Sequence, residues 1–368
     1  MKNLAIPALA SMVLLTACGS SPSGSGTGLG TCPASAETQD LPGLPGAPTG
    51  GGGLTAVTSF GANPGALKMY VHAPKGGTAA AVVVAMHGCT QGASDYTAAG
   101  WNELADKAGF AVVYPEQTSS NNSQRCFRWF DKAQTTREGS EAKSIAAMTE
   151  YAMKQYGATK AYVTGLSAGA AMTSVMLATY PELFEAGAIM AGLPYACATS
   201  QSDAYSCMSP GRDKTPAAWA DLVPAATRSA PPRVSIWHGD ADWIVRPANE
   251  TQLVRQWTAV AGVGAEPATT ATEGLATHEE YKDDAGVVRV ESWLVKGMGH
   301  GVALSPKDGC GKAGAYLLDE GICSTTKAAV FFGLVAADGT PTPGSTNPAG
   351  SSSGGASSGG PKSPGDCN

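Results

Sequence analysis

Ala161-Tyr162-Val163-Thr164-Gly165-Leu166-Ser167-Ala168-Gly169-Ala170-Ala171-Met172 is an apolar run that passes through Gly-x-Ser-x-Gly into a series of small residues. It reads as a strand, a sharp turn and a helix, with Ser167 at the turn. A serine hydroxyl is a weak nucleophile unless the chain holds it out beside a base, which a strained strand-to-helix elbow does. Gly165 and Gly169 flank that turn, where a Cβ is expected to collide with neighbouring backbone. A helix opening at Ser167 also aims free N–H groups and the positive end of its dipole at the place where an oxyanion would form. The bare pattern recurs at Gly350-Ser351-Ser352-Ser353-Gly354 and Gly355-Ala356-Ser357-Ser358-Gly359, in a chain of 47 glycines. Neither copy follows a strand or opens a helix, so context carries the reading of Ser167.

On either side of the elbow, strand and helix patterns alternate. Strands are expected over 66–72, 79–86, 110–114 (stopped by Pro115), 187–191 and 234–238, and a hairpin over 278–295 turning at Asp284-Ala285-Gly286. Helices are expected over 96–107, 139–156, 249–261 and 325–335. Arg137, Glu138 and Glu141 read as a solvated first turn of the second. Continuously apolar strands between helices imply an α/β fold with a doubly wound, mostly parallel sheet. The interval 192–232 lacks a clear strand and is a candidate lid.

The ends differ in character from this middle. Residues 1–18 combine Lys2, an apolar run from Leu4 to Leu15 that is too short for a bilayer span, and Leu15-Thr16-Ala17-Cys18. They read as a lipoprotein signal peptide with Cys18 as the lipidated residue; the bland alternative is ordinary cleavage near Ala17. Residues 19–53 form a Ser/Gly/Pro/Thr tether and 338–368 a Gly/Ser/Pro-rich tail, which leaves 54–337 as one catalytic domain. The formal charge of −6 and the lack of a basic patch argue against nucleic acid. Of nine cysteines, lipidation of Cys18 leaves an even eight, as expected of disulfides in an exported protein. No metal-ligand spacing occurs. The chain is expected to be an extracellular or cell-envelope lipoprotein, in the outer membrane if the host has one, touching a membrane only through its N-terminal lipid, and a monomer.

A serine of this kind needs a base and an acid from loops that follow later strands. His72 and His87 precede Ser167, His238 ends its own strand, and His278 lies within the hairpin, so His300, in Gly297-Met298-Gly299-His300-Gly301, is the candidate base. The flanking glycines are expected to let its imidazole approach Ser167. His238-Gly239-Asp240-Ala241-Asp242 offers two carboxylates, Asp240 and Asp242. Trp129 and Trp243 lie in or beside these loops and either line an acyl groove or simply pack.

His87-Gly88-Cys89-Thr90-Gln91, Cys126-Phe127-Arg128-Trp129-Phe130, the Ser167 elbow, Ala191-Gly192-Leu193-Pro194-Tyr195, the Asp242 loop and Gly297-Met298-Gly299-His300 occur in this order. Together they resemble extracellular poly(3-hydroxybutyrate) depolymerases and the related feruloyl and acetylxylan esterases, over about 54–335. The resemblance implies an α/β-hydrolase whose triad is Ser167, Asp242 and His300, with Asp242 preferred to Asp240. It places the oxyanion hole at the N–H groups of Cys89 and Ala168, and disulfides at Cys89–Cys126, Cys197–Cys207, Cys310–Cys323 and Cys32–Cys367. Trp129, Tyr195 and Trp243 would bind substrate. The implied activity is a serine carboxylic ester hydrolase working through an acyl-enzyme without cofactor or metal, on poly(3-hydroxybutyrate), hydroxyacid oligomers or other small esters. Two alternatives are a carbohydrate esterase releasing feruloyl or acetyl groups, and a ligand-binding lipoprotein with an inactive hydrolase fold.

Overall fold

The computed structural model describes residues 53–73 and 77–342; the expectations for Cys18, Cys32, Cys367, the signal segment and most of the tether and tail lie outside them. Ten strands form one sheet: Thr55–Val57 (β1), Lys68–His72 (β2), Ala81–Met86 (β3), Ala111–Glu116 (β4), Lys160–Leu166 (β5), Ala186–Met190 (β6), Arg233–Gly239 (β7), Thr269–Glu273 (β8), Ala276–Lys282 (β9) and Val288–Val295 (β10). Their order is β1-β2-β4-β3-β5-β6-β7-β10-β9-β8. The central six, β4 through β10, are parallel, while β1, β2, β9 and β8 run antiparallel at the two edges. The expected mostly parallel α/β sheet is present. Val302–Leu304 (β11) and Leu317–Asp319 (β12) pair separately and in parallel.

Central strands β3 to β6 are largely apolar because helices cover both sides of the sheet, whereas β7 and β10 bury Ser235 and Glu291 as a pair, Ser235 Oγ donating to Glu291 Oε1 at 2.6 Å. In β3, Val82, Val84 and Met86 enter one core with Ile145, Met148 and Trp257, whereas Ala81, Val83 and Ala85 enter the other with Trp101, Trp237 and Phe332. Alternate side chains point to opposite faces, so a strand covered on both has no polar face to show.

Three local expectations change. Pro115 does not stop β4, which continues to Glu116; pairing with β3 ends at Val113, so beyond it the strand pairs only with β2, where proline is tolerated. The helix expected over 96–107 is broken at Gly100, whose φ of 91° and close approach to Gly311 require glycine. Glu141 is not solvated: it is fully buried, ion-paired with Arg128 Nε at 2.8 Å, and accepts from Arg128 N and from Gln117 Nε2. The candidate lid holds three short helices, Gln201–Met208, Pro216–Ala220 and Ala225–Ser229. Trp219 anchors it from within the core, donating from Nε1 to Gln252 Oε1 at 2.7 Å, and Cys197–Cys207 closes its first turn.

Candidate active site

Every parallel strand delivers its C-terminal end to the same edge of the sheet. β5 ends in Leu166 and hands the chain to Ser167, then to the helix Ala168–Thr179, which is buried along its whole length. Ser167 has φ 56° and ψ −115°, a strained backbone for a residue with a side chain. Its N–H donates to the Met190 carbonyl at the end of β6. The flanking glycines are required: a Cβ on Gly165 would lie 2.4 Å from Gly169 C, and one on Gly169 would lie 2.4 Å from the Met86 carbonyl oxygen.

The loops after β7 and β10 are laced together. Gly239 packs so closely that a Cβ there would lie 2.1 Å from Met298 O, Ala241 N–H donates to that carbonyl, and Gly297 N–H donates to Asp240 Oδ1 at 2.6 Å. Asp240 is therefore a loop-fastening aspartate. Asp242 is buried; its Oδ1 accepts from Ile244 N and Val245 N at 2.9 Å each, and His300 Nδ1 donates to Oδ2 at 2.7 Å. With Nδ1 carrying that proton, Nε2 of His300 is left as the basic nitrogen. Burial works against charge on Asp242, but the His238 and His300 imidazoles beside it outweigh that and hold the carboxyl below the usual range. Ser167 and His300 are both just accessible, at 9% and 8%. Among the described residues no hydrogen bond joins Ser167 Oγ to His300.

His238, set aside as the base, has a place beside Asp242. Its Nε2 lies 2.8 Å from the Val245 carbonyl, so that nitrogen carries the proton, and 3.4 Å from Asp242 Oδ2. The ring braces the turn that presents Asp242. The sequence signal was its position in His238-Gly239-Asp240-Ala241-Asp242. His72 pairs with Asp106, and His278 pairs with Glu291 and stacks on Trp293, both away from the strand ends that carry the site.

The loop after β3 is fixed just as tightly. Gln117 N–H donates to His87 Nε2, so Nδ1 carries the proton of this buried imidazole and donates to Gly88 O at 2.7 Å. Gly88 N–H in turn donates to Gln91 Oε1, and Cys89 is joined to Cys126. No hydrogen bond of the described residues uses the N–H of Cys89 or of Ala168. Desolvation pushes His87 down to about 4 against the pull of the Gly88 carbonyl.

The three residues expected to line the site differ. Trp129, 6% exposed, packs in a cluster with Ala168, Ala171, Leu193 and Val245, with Phe130 at its margin. Trp243 is 74% exposed on the loop after β7. Tyr195 belongs to the core: it is buried, its backbone N–H and carbonyl both bind the Gln256 side chain, and its hydroxyl donates to Thr135 O. The glycines beside His300 also need revision. Gly299 has open space for a Cβ, whereas one at Gly301 would lie 2.8 Å from the carbonyl oxygen of Tyr316, a residue sequence reasoning passed over. Cys197–Cys207 and Cys310–Cys323 are formed as expected.

A parallel sheet with a strained serine elbow at the carboxyl ends of its strands is the architecture of an α/β-hydrolase, and the chain is a carboxylic ester hydrolase. It belongs to the Esterase PHB depolymerase family, whose model matches residues 67–283 and so includes Ser167 and Asp242 but not His300. It is 47% identical over 291 residues to poly(3-hydroxyalkanoate) depolymerase C of Paucimonas lemoignei, covering 77% of this chain and 70% of that one. It is 35% identical to feruloyl esterase B of Talaromyces stipitatus, covering 67% and 72%. Among solved structures it resembles the acetyl xylan esterase from Aspergillus awamori, with a TM-score of 0.62 and 31% identity over 68% of this chain and 94% of that one.

Proposed function

We propose that Ser167, His300 and Asp242 form a catalytic triad that cleaves short hydroxyacid esters, poly(3-hydroxybutyrate) and its oligomers foremost. The observation that carries this is the buried 2.7 Å contact between His300 Nδ1 and Asp242 Oδ2, at the strand ends that also present Ser167. His300 Nε2 takes the Ser167 proton as Oγ attacks the ester carbonyl, and Asp242 stabilises the imidazolium. The N–H groups of Cys89 and Ala168 receive the oxyanion, the alcohol leaves with the proton from His300, and water repeats the sequence on the acyl-enzyme. No cofactor or metal enters these steps. So ordered an acid–base pair argues against an inactive binding protein.

Two observations support the polyester reading: identity is greater to the depolymerase than to the feruloyl esterase, and the cluster that contains Ala168, next to Ser167, is apolar and aromatic, with Trp129 and Phe130 in it or at its margin. The fit to an acetyl xylan esterase keeps carbohydrate esters as the second reading. The test is kcat/KM on 3-hydroxybutyrate dimer and amorphous polymer against methyl ferulate and acetylated xylan. The hydroxybutyrate esters are expected to lead; a tenfold preference for the carbohydrate esters, about 1.4 kcal/mol in transition-state binding, would replace the first reading with the second. The three disulfides suit an oxidising compartment, and we propose export as a monomer with a lipid on Cys18, checked by mass spectrometry of the mature N-terminus.

A further inference from the structure

Gly314, Ala315, Tyr316 and Leu317 make a tight turn, closed by Gly314 N–H to Leu317 O at 2.9 Å and Leu317 N–H to Gly314 O at 3.1 Å. Of its two central residues only the second, Tyr316, has positive φ, at 61°. That pattern of signs belongs to a type II turn, whose third position glycine or asparagine normally fills. An aromatic residue there is a backbone outlier held against its preference.

The ring has a partner in the site. It packs edge-to-face on His300, with centroids 5.9 Å apart and planes at 77°, yet Tyr316 keeps 39% of its surface exposed. Its hydroxyl has no hydrogen bond among the described residues, so the ring rather than the oxygen is the part in use. The turn is also tied to both flanks of the site. Tyr316 O accepts from Val302 N–H, its carbonyl packs on Gly301, and Ala315 O accepts from Gln91, whose Oε1 holds the loop after β3. Cys310–Cys323 closes the segment around it.

We infer that Tyr316 is a specificity-determining residue, the wall on which the alcohol portion of the ester lies. This rests on the reading of His300 as the base: the imidazole hands its proton to the departing alcohol, so a ring packed on that imidazole flanks the path by which the alcohol leaves. An alcohol large enough to reach the ring gains contact, and a methyl group does not.

Two substrates with the same acyl group separate the possibilities: 3-hydroxybutyrate dimer, whose leaving group is a second hydroxyacid, and methyl 3-hydroxybutyrate. In Tyr316→Gly, the ratio of kcat/KM for dimer over methyl ester is expected to fall about tenfold, while Tyr316→Phe keeps the wild-type ratio. Because both substrates are measured on one preparation, the ratio is insensitive to the fraction folded. An unchanged ratio in Tyr316→Gly, with activity on both esters kept or lost in equal proportion, would overturn the inference. His300→Ala, run alongside, isolates the underlying reading: if it retains activity, the triad assignment fails and takes the wall with it, whereas loss of activity there with an unchanged ratio in Tyr316→Gly overturns the wall alone.

Discussion

Ser167 owes its role to two neighbours that have no side chain. The elbow closes only because the Gly169 backbone lies against the Met86 carbonyl at a distance no Cβ could occupy. Gly169→Ala is therefore expected to destabilise the protein by about 1–3 kcal/mol through backbone displacement and to lower activity, because the same shift moves Ser167. Denaturant unfolding and ester hydrolysis on the same variant check both. Full activity with unchanged stability would contradict the close packing. Both elbow glycines were legible, because Gly-x-Ser-x-Gly after an apolar strand has a steric meaning. The roles of Gly301, His238 and Tyr316 were not, because each depends on a contact with a residue remote in sequence or on a turn conformation that residue type does not encode.

The elements around the elbow are fixed by polar bonds that a hydrophobic pattern does not announce. His87, Gln117, Glu141 and Arg128 form a buried chain beneath the Gly88–Cys89 loop, and Glu141 was misread because a charged residue in a first helical turn normally faces water. β8 was missed for the opposite reason: all five of its residues are exposed, so no apolar alternation marks it. The buried chain makes a prediction about pH. An unfolded His87 takes up a proton near 6.5, whereas the folded one resists until about 4, so between those values the unfolded state binds more protons and stability falls as pH drops. His87 alone accounts for about 3 kcal/mol over that window. Unfolding free energies at pH 7 and 4.5 are expected to differ less in His87→Gln than in the wild type. Equal acid sensitivity in both would show that the histidine is not the titrating group.

At the scale of the whole molecule, β3 to β6 were readable as largely apolar runs and β7 from Val234-Ser235-Ile236-Trp237, whereas β10 was legible only as part of a hairpin because Arg289, Glu291 and Ser292 interrupt its apolar run. The parallel order of these strands is what places the loops after β5, β7 and β10 at one edge. Two of the three disulfides among the described residues fasten segments beside that edge, Cys89–Cys126 across 37 residues and Cys197–Cys207 across 10. In the loop-entropy picture the longer one contributes about 4 kcal/mol and the shorter about 3. Reduction should lower Tm and activity together, whereas loss of neither would mean the packed core alone holds the site. The proposed chemistry depends on one atom, Ser167 Oγ, behaving as a nucleophile activated by His300. Treatment with a fluorophosphonate followed by peptide mass spectrometry tests this directly. A single adduct is expected on Ser167, absent from Ser167→Ala and formed roughly a hundredfold more slowly in His300→Ala; an adduct on any other residue, or ester hydrolysis persisting in Ser167→Ala, would contradict it.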